Sequence, residues 1–359
     1  MSPLMKDVEK IGVKSLRQRR DPSSILPSDF FNQSNQLRED FASLINAPDP
    51  SRIVIIPSAS YGLSTAAQNI RAGKGDNIIV AAEQFPSNYY PWQRMSMDTG
   101  AKVKSIGPPE DGIERGKKWN EKILEAIDTT TKVVAIGNVH WADGTLFQLS
   151  EIRKRTREVG ALLIVDGTQS IGALPFDLQQ IQPDALVCAG YKWLFGPYSI
   201  GLAYFGEYFS DGRPIEESWM NRLYSENFSA LLNYQPEYQP GALRYEVGEH
   251  SNFNLVPMLL KSIQQLKKWG VANIQSYCKE ITSWAIHDLM EKGYWIESEE
   301  YRCSHLFGVR LNGRDIQKLK VELLKNKVFV SFRGDAIRVS PNVYNTPRDL
   351  AKFVKIMSR

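Results

Sequence analysis

Along most of the chain, short apolar runs alternate with longer segments whose apolar residues recur every three or four positions. Residues 53–60, 77–85, 102–107, 132–139, Leu162–Val165 and Ala185–Cys188 carry the short runs. Runs of four or five branched apolar residues bounded by Gly, Asp or Pro read as strands buried on both faces, as in parallel sheets. The helical spacing covers 31–47, where Leu37, Phe41, Leu44 and Ile45 share a face, and 61–73, 119–127, 152–160 and 254–270. Three of these end on glycine, at Gly73, Gly160 and Gly270, as helices commonly do. The last hundred residues alternate on a smaller scale: LFGVRL (306–311), IQKLKVELLKNK (316–327), VFVSF (328–332), AIRVS (336–340) and PRDLAKFVKIM (347–357). The expectation is an α/β protein with a polar amino-terminal segment over 1–30 that packs with the small domain. A large domain with a mostly parallel sheet follows over 31–250, and a small α/β domain over 251–359. Residues 207–240, rich in Pro, Tyr, Asn and Ser, interrupt the rhythm and read as a surface excursion.

Chemistry in parallel sheets gathers at the carboxyl ends of the strands. Two strand ends stand out. Leu162–Val165 runs into Asp166, and Ala185–Cys188 runs into Ala189-Gly190-Tyr191-Lys192. An acid and an amine on one rim suit pyridoxal phosphate, with the lysine forming a Schiff base and the acid keeping the pyridine nitrogen protonated. Taken alone, each residue has a plainer reading. An Asp at a strand end is commonly a helix cap or a metal or ribose ligand, and a Lys before an aromatic is commonly solvated. The turn Ser58-Ala59-Ser60 ahead of a helix offers free N–H groups and a hydroxyl to a phosphate, or is simply an N-cap.

The wording around these residues narrows the choice. VDGTQS (165–170) followed by AGYKWLFGPYSIG (189–201) resembles the class V aminotransferase family of fold type I pyridoxal-phosphate enzymes, and the resemblance runs from about residue 30 to the end. That family includes cysteine desulfurases, selenocysteine lyases, kynureninases and an isopenicillin epimerase. The resemblance implies a mostly parallel seven-stranded sheet and pyridoxal 5′-phosphate as cofactor. It places the Schiff base on Lys192 and the pyridine-nitrogen partner at Asp166, and it sets Phe85 against the ring. Gln169 would reach the ring hydroxyl, with Ala59, Ser60 and Tyr191 on the phosphate. Arg338, ahead of Ser340-Pro341-Asn342-Val343-Tyr344-Asn345, matches the arginine that takes the substrate carboxylate. His140 and Trp141 occupy a strand end where relatives contact cofactor and substrate. Glu249, His250 and Ser251 compete for a role toward the phosphate of a neighbouring subunit, with Ser251 or His250 favoured, which implies a homodimer with a shared active site. Family members also usually carry an extra strand and loop over the substrate ahead of the point where this chain starts.

Transamination of an amino acid is the expected reaction. Kynureninase-like cleavage and epimerisation are the alternatives, since Phe85 suits them too. Desulfurase or selenocysteine lyase chemistry is disfavoured: relatives place a cysteine on the loop between the last two strands, which here is only Arg333-Gly334-Asp335. A nucleotide-binding protein of doubly wound fold is the reading from another class, but no G-x-G-x-x-G follows a strand.

Composition fits a cytoplasmic enzyme. A net charge of +4 without a periodic basic face gives no footprint for nucleic acid. No apolar stretch reaches the ~20 residues of a membrane span. Cys188, Cys278 and Cys303 are odd in number and far apart, and no His or Cys pair has metal-ligand spacing.

Overall fold

The computed structural model describes residues 1–110, 112–310 and 316–358. Seven strands form the main sheet: β1 (Ile53–Ile56), β2 (Asn77–Ala81), β3 (Lys102–Ile106), β4 (Thr131–Gly137), β5 (Leu162–Asp166), β6 (Ala185–Ala189) and β7 (Gly201–Phe205). Their order across the sheet is β1-β7-β6-β5-β4-β2-β3. All neighbours run parallel except at β7, which is antiparallel to both β1 and β6. Because β7 reverses twice, β1, β2, β4, β5 and β6 all point the same way and end on one rim.

Alternation explains why the sheet is buried on both sides. Ile53, Ile55, Ile79, Val134, Ile136, Leu163 and Val165 pack one way, onto Leu37, Phe41, Ile152, Leu259 and Ile263 of the covering helices. Val54, Ile56, Ile78, Val80, Val133, Ala135, Ile164 and Val187 pack the other way, onto Leu63, Ala66 and Trp92. A second, antiparallel sheet in the order β8-β10-β9 is built from β8 (Phe307–Arg310), β9 (Ser331–Arg333) and β10 (Ala336–Val339). Its apolar face meets Ile281, Leu289, Leu350 and Phe353. Leu311, the last residue of the expected LFGVRL strand, lies outside the described residues.

Several boundaries differ from the sequence expectation. The 77–85 strand stops at Ala81, because Glu83 takes a left-handed conformation (φ 54°) that breaks the ladder. The helix expected over 61–73 runs Ala59–Gln68 and ends where Asn69 folds its side chain back onto the Thr65 carbonyl. The amino-terminal segment, expected only as polar, contains a helix, Lys6–Gln18. Its buried stripe is Val8, Gly12 and Ser15, and Gly12 lies so close to Met258 that a Cβ there would come within 2.8 Å of the sulfur.

β1 lies at the sheet edge, a position that normally exposes unpaired backbone. Here residues 246–247 cover it. The Ile55 N–H donates to Glu246 Oε1 (3.1 Å), and Val247 N–H donates to the Ile55 carbonyl (3.1 Å). The Glu246 carboxylate is 1 % exposed and takes a fork from Arg38, with Nε at 3.0 Å and Nη2 at 2.8 Å, while His250 Nε2 approaches to 3.2 Å. Burial alone would raise its pKa, but Arg38 and His250 outweigh that and hold it below the ordinary 4.5.

Removing one partner of such a pair leaves a buried, uncompensated charge. Glu246→Ala should cost about 3–5 kcal/mol, read from urea unfolding at pH 7. A group whose folded pKa is depressed stabilises above its unfolded value and ceases to do so as pH falls through the folded value. The gap between wild type and variant should therefore narrow below pH 4.5. A pH-independent gap would show that the charge of Glu246 is not what holds β1.

Candidate active site

Five strand ends deliver side chains to one rim. β1 leads to Ser58-Ala59-Ser60, β2 to Phe85, β4 to His140 and Trp141, β5 to Asp166, and β6 to Lys192. Asp166 and Lys192 follow adjacent parallel strands. Ala81, Phe85, Trp141, Asp166, Gln169 and Lys192 line a small cavity, and Gln169 and Lys192 also line a larger one of about 560 Å³ that reaches Arg338 and Tyr344.

Lys192 is the centre of this arrangement. Its Nζ stands 5.2 Å from the centroid of Phe85 and 5.8 Å from that of Tyr191. Burial lowers its pKa from 10.5 to about 8; Asp166 opposes the shift, and Arg338 and Arg333 add to it. Burial raises the Asp166 carboxyl above its ordinary value, opposed by the Thr168 hydrogen bonds and by Lys192. The Thr168 N–H donates to Asp166 Oδ1 (3.0 Å), and the Thr168 hydroxyl accepts the Ala189 N–H (3.2 Å), so one residue ties both strand ends together. Sequence reasoning missed Thr168, whose role shows only once the strands are adjacent.

Gln169 is oriented by two groups, Trp193 next to Lys192 and the distant His305. Trp193 Nε1 donates to its Oε1 (3.2 Å), and His305 Nε2 donates to its backbone carbonyl (2.7 Å). His305 Nδ1 lies 2.6 Å from Gln275 Nε2 and accepts from it. Burial drops the His305 pKa to about 4, so the ring is neutral and keeps one N–H for that carbonyl. With Oε1 taken by Trp193, the amide N–H₂ of Gln169 is the end free to donate into the cavity.

On the phosphate side, the helix Ala59–Gln68 begins at the rim, and Ser58 Oγ accepts the Tyr61 N–H (3.2 Å). Ser58 and Ser60 hydroxyls lie 2.8 Å apart, and Ser60 is exposed. Hydroxyls and unpaired N–H groups at a helix start suit an anion. Tyr191 stacks beside Tyr198 (centroids 4.7 Å apart) and accepts the Ser2 N–H on its carbonyl (3.1 Å). Met1 and Ser2 line the larger cavity.

On the substrate side, Arg338 of β10 donates from Nη1 to the Trp141 carbonyl (2.7 Å) and from Nη2 to Ser331 Oγ (3.3 Å). Its Nε is buried with no acceptor, and burial followed by Arg333 lowers its pKa to about 10. A buried guanidinium with an unsatisfied edge fits an incoming carboxylate. Trp141 lies edge-on to Phe85 (5.5 Å) and donates to the Glu83 carbonyl (2.6 Å). His140 lines the small cavity, but its nitrogens already meet Asp143 Oδ1 (3.0 Å) and the Ala82 carbonyl (3.3 Å), which leaves neither for a substrate.

The residues expected to reach a neighbouring subunit lie elsewhere. His250 turns inward to Glu246, and the Ser251 hydroxyl turns inward toward the Met220 sulfur (4.0 Å); both side chains are buried. Only Glu249 is exposed, in a left-handed conformation with φ 57°. The three cysteines are buried, and burial raises the thiols of Cys278 and Cys303 to about 12, the reverse of what a nucleophile needs. No metal-holding group of three or more His, Cys, Asp or Glu occurs among the described residues. No helix among them is long and apolar enough to cross a membrane.

The donor set therefore suits pyridoxal phosphate: an amine of lowered pKa beside a carboxylate, a Phe ring next to it, an amide donor, and a helix start for the phosphate. Comparison with known proteins agrees. An uncharacterized aminotransferase, YcbU of Bacillus subtilis, is 25% identical over 314 residues, covering 87% of this chain and 80% of that protein. A cysteine desulfurase of Synechococcus elongatus is 27% identical over 249 residues, covering 68% of this chain but 38% of its own length. In fold, the chain is similar to the apo structure of a cysteine desulfurase from Thermococcus onnurineus, with a TM-score of 0.83 at 21% identity over 99% of this chain and 92% of that one. The family described as Aminotransferase class-V matches residues 23–354, and the chain belongs to that family of fold type I enzymes, whose cofactor is pyridoxal 5′-phosphate.

Proposed function

We propose that this protein is an aminotransferase, moving the amino group of an amino acid to a keto acid on pyridoxal phosphate carried by Lys192. The observation that carries the reading is the convergence of Lys192, Asp166 and Arg338 on connected cavities that no cysteine lines. When bound, the cofactor supplies an electron sink that lets bonds at the substrate Cα break. The protein supplies the rest. Asp166 puts a negative charge where the pyridine nitrogen would sit. Phe85 offers an apolar face to the ring, and Gln169 donates to the ring oxygen. Ser60 and the N–H groups around Ala59 take the phosphate. Arg338 would grip the α-carboxylate, and Lys192 Nζ would accept and return the Cα proton. A lysine of ordinary pKa would stay protonated in that role; burial makes this one a usable base.

The tight turn at Gly334–Asp335 between β9 and β10 supports transamination over desulfuration, because it leaves no loop to carry a nucleophile. Kynureninase-like cleavage and epimerisation are the second reading, supported by the phenylalanine rather than a histidine at position 85. A cytoplasmic homodimer completes the proposal. With His250 and Ser251 facing inward, the main chain around Glu249 is the part of that segment left to face a partner.

Four outcomes are expected. Wild-type protein with pyridoxal phosphate should show a band at ~410–430 nm, absent in Lys192→Ala; an unchanged band in the variant refutes the assignment. The rate at which cofactor-free protein gains that band should rise with pH through about 8, as the amine loses its proton, rather than toward 10.5. Arg338→Gln should raise the amino-acid KM by about 10- to 100-fold, the worth of a charged fork, with little change in cofactor affinity. Asp166→Asn should bind cofactor but slow exchange of the substrate Cα proton, measured by loss of deuterium.

A further inference from the structure

The β9–β10 hairpin carries a second arginine, Arg333, against the ring of Trp141, behind the residues that line the two cavities. In its register Ser331 opposes Arg338, and Arg333 opposes Ala336. Residues two apart on a strand share a face, so Ser331, Arg333, Ala336 and Arg338 all lie on one side of the hairpin. Both guanidinium groups meet the same indole: the Arg333 carbon lies 5.0 Å from the Trp141 centroid and the Arg338 carbon 6.0 Å. Trp141 in turn lines the cavity that holds Lys192, and the charge of Arg333 is felt at both Lys192 and Arg338.

The charge on this face is unbalanced. A third arginine, Arg310 of β8, is neutralised twice, by Asp143 and by Asp335. Asp335 sits two residues from Arg333 yet pairs with Arg310. Among the described residues, no carboxylate pairs with Arg333 or Arg338. Arg333 Nη1 donates to the neighbouring Phe332 carbonyl (2.8 Å), and its Nε, like that of Arg338, is buried without an acceptor. A buried guanidinium edge with no acceptor carries a desolvation cost unless a ligand supplies one. The α-carboxylate of a substrate satisfies one guanidinium; the other is left for a further anion. The larger cavity adds Lys327 and Lys352 against a single acid, Asp349, whose Oδ2 already caps Thr346.

We propose that the substrate is an amino acid bearing a second carboxylate, or an equivalent acidic group, on its side chain, with Arg333 as the residue that selects it. This rests on the aminotransferase reading for the chemistry, but the selection itself is a binding property.

The test compares aspartate with asparagine, and glutamate with glutamine, in the holoenzyme. At least one acidic member should exceed its amide in kcat/KM by about tenfold or more, the discrimination expected of a charged hydrogen-bonding site. Arg333→Gln should collapse that ratio toward one, whereas Arg338→Gln should depress both members together. Arg333→Lys, which keeps the charge but not the fork, should retain part of the preference. Equal losses for acid and amide in Arg333→Gln would mean that both arginines clamp one carboxylate, and would overturn the proposal. A wild type that prefers the amides would overturn it equally. Calorimetry with succinate and butyrate on the protein as purified separates the two levels of inference. If no visible band forms with pyridoxal phosphate, the aminotransferase reading fails. Succinate binding about tenfold tighter than butyrate, and lost in Arg333→Gln, would still uphold the acidic selection, while equal affinities would reject it.

Discussion

Everything chemical in this protein depends on two adjacent parallel strands ending side by side. β5 finishes at Asp166 and β6 runs on to Lys192, and Thr168 links the two ends by one hydrogen bond to each. Parallel pairing fixes the lateral distance, and burial on both faces fixes the dielectric. Together they shift the two groups: burial pushes the acid up from its ordinary value and pulls the amine down to about 8.

Around that pair the fold separates duties. The main sheet supplies the groups suited to the cofactor, and the small antiparallel sheet supplies the guanidinium groups suited to the substrate. The join is the Trp141 carbonyl, which belongs to the end of β4 and receives Arg338 from β10. Trp141 thus acts as a spacer between the two halves of the site, holding the arginines off Phe85 and Lys192. His140, beside it, is a structural residue whose nitrogens are both engaged with the protein.

Much of this was legible in the sequence. The branched runs announced the strands, and the position of Asp166 and Lys192 at run ends announced the rim, because a parallel sheet forces that geometry. Arg338 was legible as a motif residue. What escaped was whatever depends on side chains meeting across long separations. The Lys6–Gln18 helix buries Gly12 and Ser15, which carry no hydrophobic signal. His305 aims Gln169 from outside any motif, and Trp193 does so from within AGYKWLFGPYSIG, where nothing marks it as a partner of Gln169. Arg333 shares a face with Arg338 only after a two-residue turn sets the register of the hairpin. His250 and Ser251 sat in a matching phrase, yet burial beside Glu246 and Met220 turned both inward, which no phrase records.

The edge position of β1 has a consequence for how the chain reaches its final form. Ile53 pairs with Tyr204 and Ile56 with Gly201, so the first strand of the sheet finds its only ladder partner in the last. Residues 246–247 must then close over its other edge. The helix start at Ala59 hangs from this strand, so the anion-binding end of the rim is completed only by contacts of high sequence separation, which form slowly. The phosphate site proposed at Ala59 and Ser60 therefore depends on closure of the sheet across β1 and β7, not on the 58–60 turn alone.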